Sequence, residues 1–137
     1  MDTNTKGELA LLKVKQLALE KDILLSQPTM ANCRYDLIVD CGHRLVRAQV
    51  KWADGRVSGA AGCVQINLRK ITRGNKRGKQ FYSKDEVDIL LVYVPKIDKV
   101  LWLESPHFHG KQSITIRIEP PRNNQTKGCL MAEEYIW

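Results

Sequence analysis

Residues 87–94, Val87-Asp88-Ile89-Leu90-Leu91-Val92-Tyr93-Val94, are apolar at every position but one. So short and continuous a run has no polar alternation with which to face water. It predicts a buried central strand rather than a half-exposed one. A chain that carries such a strand must build a sheet and cover it. The N-terminal segment reads as a helix from about Lys6 to about Lys21, with Thr5 as N-cap and Glu8 at capping-box spacing. Ala10, Val14, Leu17 and Ala18 recur at helical intervals, with Leu11 and Leu12 beside them, and the pattern changes at Asp22.

The rest of the chain reads as strands. Ile23-Leu24-Leu25 is a short apolar run that stops at Pro28. Arg34–Val39 is β-rich and ends at the turn Asp40-Cys41-Gly42. Arg44–Trp52 then alternates with period two, so the pair predicts a hairpin. Val64–Leu68, Lys99–Leu103 and Ile114–Ile118 are further candidates, and Pro120-Pro121 ends the last. The polar tail turns apolar at Leu130-Met131 and Tyr135-Ile136-Trp137, residues able to dock on the body or on another subunit. Helix, strands, then more strands predict an α/β (α+β) fold with a mixed central sheet. With 137 residues, 43% of them hydrophobic, the chain can bury one core but not two, so residues 1–137 are read as a single domain.

No apolar run approaches the roughly 18–20 residues that span a bilayer. Charges interrupt the apolar stretch of MDTNTKGELALLKVK, which argues against a secretory signal. These features predict an intracellular, cytoplasmic (nucleoid-associated) protein with no membrane partner. Cys33, Cys41, Cys63 and Cys129 form no CxxC pair, so they are read as free thiols rather than zinc ligands or disulfides. Ser105-Pro106 and Gly110 flank His107-x-His109, which marks a surface turn rather than a metal site. Net charge is +7, but its location says more. Between Cys41 and Lys84 there are 11 Lys/Arg and one acid, Asp54, giving +10; the remainder carries 11 basic and 14 acidic residues, or −3. Such asymmetry points to a polyanion, and without an amphipathic helical pattern in the basic region, to nucleic acid rather than an anionic membrane.

Asp36 and the pair Gln49/Lys51 lie on consecutive strands of the predicted hairpin. As i and i+2 residues, Gln49 and Lys51 project from one face. A carboxylate opposite an oxygen ligand and a lysine can hold a hard divalent cation beside a phosphate. Each residue also has a purely structural reading. Glu8 completes the capping box; Asp36, Gln49 and Lys51 line an exposed sheet face. The motif itself is short and permissive.

With Tyr35-Asp36 followed by Gln49-Val50-Lys51, the sequence resembles the PD-(D/E)xK nucleases. More narrowly, "KGELALLKVKQLALEKD…RYDLIVDCGHRLVRAQVKW" resembles the small group I intron-encoded homing endonucleases of that superfamily. The likeness is strongest over residues 1–52 and continues more loosely through "FYSKDEVDILLVYVP". It implies a restriction-endonuclease-like core with Glu8 as the glutamate of the leading helix. It also implies that Glu8, Asp36, the Gln49 side chain and the Val50 backbone carbonyl bind Mg²⁺ (or Mn²⁺). Lys51 would stabilise charge or orient water. Tyr35 stands where the motif has proline, which does no chemistry; Gln49 stands where it has an acid, which leaves Glu8 and Asp36 to supply the negative charge.

The resemblance and the charge map together predict a site-specific double-stranded DNA endonuclease. The alternatives are a Holliday-junction resolvase with the same core and a non-catalytic DNA-binding module. The basic segment reads as a DNA-contacting hairpin or loop at about residues 63–82. There Arg69, Lys70, Arg73, Lys76, Arg77 and Lys79 would track phosphates while Gln65 and Asn67 read base edges. One candidate site per chain and two strands to cut predict an even-numbered homo-oligomer, and the resemblance implies a tetramer built as a dimer of dimers.

Overall fold

A computed structural model describes residues 1–57, 60–68, 85–120 and 128–137. The first element, α1 (Thr3–Glu20), starts earlier than its sequence pattern suggests. Asp2, not Thr5, is the N-cap: its carboxylate accepts a hydrogen bond from the Thr5 N–H at 2.8 Å. Asp2 outcompetes Thr5 because it offers an ionised acceptor one turn earlier. The helix ends where Asp22 takes a left-handed conformation (φ 55°). The Ile23 N–H then donates to Ala18 O and the Asp22 N–H to Leu19 O, closing a Schellman turn.

Among the described residues nine strands follow: β1 (Leu25–Ser26), β2 (Leu37–Asp40), β3 (Leu45–Trp52), β4 (Gly55–Arg56), β5 (Cys63–Asn67), β6 (Ile89–Val94), β7 (Lys99–Glu104), β8 (Ser113–Arg117) and β9 (Leu130–Met131). They form two sheets. One is five-stranded in the order β1-β2-β3-β6-β7, and the other four-stranded in the order β4-β5-β8-β9. The larger sheet is mixed, since β3 and β6 run parallel while its other neighbours are antiparallel. The fold is thus α+β and restriction-endonuclease-like, as expected, with a second sheet as its principal flanking element.

The apolar run of β6 is buried at all six positions because both its faces are covered. Ile89, Leu91 and Tyr93 pack toward α1 with Ala10, Val14, Val46 and Ala48. Leu90, Val92 and Val94 pack on the other side, against Val64, Ile66 and Leu68 of the second sheet's β5 segment and Ile114 and Ile116 of β8. Three layers result: helix, mixed sheet, second sheet.

The turn between β2 and β3 is the expected one. Gly42 adopts φ 85°, and the Asp40 carboxylate accepts from the Gly42 N–H at 2.8 Å. Ile23-Leu24-Leu25 contributes only β1, with Leu24 exposed. The C-terminal segment docks on the body: Leu101 bridges Ile136, and the Trp137 N–H donates to Val100 O at 2.9 Å along the edge of β7. All four cysteines are free thiols. His107 lies in a one-turn 3-10 helix, edge-on to Tyr135, and His109 is exposed.

Candidate active site

The site forms where β2 stops short. The β-rich run begins at Arg34, but the ladder between β2 and β3 begins at Leu37, paired with Ala48. Just before it, Asp36 turns its hydrogen bonds to another use. Its N–H donates to Ala48 O at 2.9 Å, and its carboxylate accepts from the Val50 N–H, also at 2.9 Å. The side chain therefore stands in for a missing strand, gripping β3 on both sides of Gln49. Within a strand, the N–H and C=O of one residue point to the same edge. The Val50 carbonyl accordingly faces the edge held by Asp36, beyond the last residue that β2 pairs.

Burial is the main influence on the Asp36 carboxyl and pushes its pKa above the usual aspartate value. The Val50 N–H and the Lys51 ammonium pull it down, and the Glu8 carboxylate pushes it up. Glu8 and Lys51 thus both act on the Asp36 carboxyl. Glu8 reaches it from α1, whose small residues Ala10, Val14 and Ala18 let the helix lie close on the sheet. Lys6, one turn into α1, pairs with Asp54 just past β3 at 2.6 Å and fastens the helix start to that end of the strand. Glu8 itself is exposed. With Asp2 as the cap, the capping-box account of Glu8 falls away.

Strand geometry places Gln49. Val46, Ala48, Val50 and Trp52 pack toward the helix, so Arg47, Gln49 and Lys51 share the opposite face of β3. Arg47, on the same face as Gln49 and Lys51, and its partner Asp88 carried no weight in the sequence. The Asp88 carboxylate accepts from the Arg47 backbone N–H (2.7 Å), Nε (3.1 Å) and one terminal guanidinium nitrogen (3.0 Å). In return the Asp88 N–H donates to Arg47 O at 2.9 Å. The signal was present: Asp88 is the single charge in the apolar run, and a charge there needs a partner.

Among the described residues there is no cluster of three or more His, Cys, Asp or Glu placed to hold a metal ion. The candidate donors instead pair two carboxylates, Glu8 and Asp36, with an amide and a backbone carbonyl. That all-oxygen set fits a hard divalent cation. The raised Asp36 pKa agrees, because a carboxylate held from water chiefly by its burial, with a smaller push from the Glu8 charge, is relieved by a nearby positive charge.

The expected DNA-reading residues are partly described. Gln65 and Asn67 lie exposed on β5, facing away from the larger sheet. Arg69, Lys70, Arg73, Lys76, Arg77 and Lys79 lie outside the described residues. Of the DNA-contacting hairpin or loop expected at about residues 63–82, only residues 63–68 are described. Both neighbours of β5 come from elsewhere, β4 before it and β8 far downstream. Val64 and Ile66 find apolar partners in Ile116 and Ile114.

The sequence model of the family described as PD-(D/E)XK endonuclease matches residues 1–137. Among solved structures the chain is similar to the bacterial homing endonuclease I-Ssp6803I. The TM-score is 0.76 at 22% identity, over 99% of this chain and 89% of that one. No curated protein matches by sequence. From its first residue to its last, the chain belongs to the PD-(D/E)XK endonuclease family.

Proposed function

We propose that the protein is a site-specific endonuclease of the homing type, one that hydrolyses phosphodiester bonds in double-stranded DNA with Mg²⁺ (or Mn²⁺). The observation that carries this reading is Asp36: a partly buried carboxylate with a raised pKa, locked to β3 at Val50 and close to the charges of Glu8 and Lys51. Glu8, Asp36, the Gln49 side-chain oxygen and the Val50 carbonyl are the groups that would hold the cation. When bound, it supplies Lewis acidity and a water of lowered pKa. Asp36 fixes the donor geometry, since its grip on β3 sets where Gln49 and Val50 stand. Lys51 offers a positive charge to the phosphate and to the negative charge that develops during cleavage. Similarity to the fold of a bacterial homing endonuclease supports the narrower reading. An origin in a group I intron goes with it.

One site per chain and two strands to cut call for an even-numbered homo-oligomer, in keeping with a tetramer on a near-palindromic target. Purified protein incubated with genomic DNA and Mg²⁺ tests the proposal on a gel. Discrete fragments are expected; a smear would argue for a non-specific cutter. A second reading, a DNA-binding module without catalysis, is favoured by the neutral Gln49 and by the small number of acids. Gln49→Glu separates the two. In a working site the variant cleaves and binds Mg²⁺ more tightly; in a dead one the wild type is inactive at every Mg²⁺ and Mn²⁺ concentration.

A further inference from the structure

Strand β8 is antiparallel to β5, with Gln65 opposite Thr115 and Asn67 opposite Ser113. Directly paired residues point to the same side of a sheet. Val64, Ile66, Ile114 and Ile116 point into the core, so Gln65, Asn67, Ser113 and Thr115 all point outward. An uncharged, hydrogen-bonding strip results on the two central strands of the four-stranded sheet. Among the described residues β4 flanks β5 only at Val64 and Gln65 and β9 flanks β8 only at Ile116 and Arg117, so the Asn67–Ser113 end is two antiparallel strands wide, a width that a major groove admits. The Gln65 side-chain Nε2 donates to Ser113 Oγ at 3.3 Å, so the amide is oriented by its neighbour. One N–H and the carbonyl oxygen of Gln65 stay available to a ligand, the donor–acceptor pair that matches adenine N7 and N6. In sequence, Asn67 is followed at once by the segment holding Arg69, Lys70, Arg73, Lys76, Arg77 and Lys79, whose charge complements a polyanion.

We propose that β8 supplies half of the base-reading surface, with Ser113 positioning the Gln65 amide for adenine and Thr115 touching a base edge beside it. This rests on the reading of the protein as a DNA endonuclease that docks duplex on β5. None of the four side chains belongs to the candidate catalytic set.

Selection from a randomised duplex library, run without divalent metal so that nothing is cut, tests the proposal. Wild type, Ser113→Ala, Thr115→Val and Gln65→Ala are compared. The wild type is expected to enrich an A·T pair at one position per half-site. Ser113→Ala and Gln65→Ala should relax the same position by about tenfold, the lower part of what one bidentate contact discriminates. Thr115→Val should relax a neighbouring position. The slope of affinity against salt should stay unchanged in all three, since no phosphate contact is lost. Thermal melting of each variant confirms the fold. If Gln65→Ala relaxes a position and the β8 variants relax none, β8 is not part of the reading surface, though the endonuclease reading stands. Equal loss of affinity on all sequences would make these phosphate contacts and overturn the proposal. A wild type that enriches no sequence overturns both.

Discussion

At the scale of single residues, Asp36 does two jobs, and they can be separated. It holds Val50 in place, and it keeps a negative charge where burial and Glu8 disfavour one. Asp36→Asn keeps an oxygen for the Val50 N–H but removes the charge. Cleavage should disappear while duplex binding persists, as anisotropy and a plasmid-nicking assay will read. The stability consequence has a definite sign. A carboxyl whose folded pKa is raised contributes stability below its unfolded pKa and loses it as pH rises through the folded value. Metal-free wild type should therefore lose stability relative to Asp36→Asn as pH rises above about 4, a difference visible in urea melts with chelator and erased by saturating Mg²⁺. Glu8 offers the contrasting case. It is exposed and caps nothing, so Glu8→Gln should change stability by less than about 0.5 kcal/mol yet slow cleavage at least a hundredfold. Asp2→Ala should do the reverse, lowering the melting temperature and sparing the rate.

At the scale of elements, β3 and β6 are, among the described residues, the only parallel neighbours in the larger sheet, and Asp88 fastens the start of one to the middle of the other. Arg47 holds the Asp88 carboxyl below the usual aspartate range. A depressed pKa stabilises above the unfolded value and ceases to do so as pH falls through the folded one. Asp88→Asn should cost about 1–2 kcal/mol at pH 7, and the gap from wild type should narrow as pH falls below about 4. Melts at pH 7 and pH 3 measure both ends. What was legible in the sequence tracks how local each cause is. The body of α1, the β2–β3 turn and β6 were readable because periodicity, a glycine at positive φ and an unbroken apolar run are properties of adjacent residues. Asp36, Gln49 and Lys51 were readable as a motif. The grip of Asp36 on Val50 was not, because a side chain replacing a ladder acceptor leaves no pattern. Pairing of β5 with β8 was invisible for a different reason: Asn67 meets Ser113 far along the chain, and no short-range preference selects that partner. The two-residue strands β4 and β9 are too short to show any period.

For the whole molecule, the C-terminal segment acts as a strap. After β9 in the second sheet, the chain crosses through buried Ala132 and lays Tyr135–Trp137 along β7 of the first. The Trp102 N–H donates to Tyr135 O at 2.8 Å, and the Trp102 and Trp137 rings lie 5.6 Å apart. Deleting residues 135–137 removes two ladder hydrogen bonds, the Trp102–Trp137 pair and the edge-on His107–Tyr135 contact. The expected loss is about 2–3 kcal/mol in urea unfolding, with Trp fluorescence reporting the freed Trp102.

The two-residue period of β5 and β8 has an evolutionary consequence. Val64, Ile66, Ile114 and Ile116 answer to the core, whereas Gln65, Asn67, Ser113 and Thr115 answer chiefly to what lies outside. Mutations at the second set barely touch folding, so lineages can drift across outward chemistry at little cost in stability. Interleaved in one stretch of chain are a conservative inheritance and a freely rewritten one. A library randomised at those four positions should therefore yield mostly folded proteins, whereas one randomised at the four intervening positions should yield few.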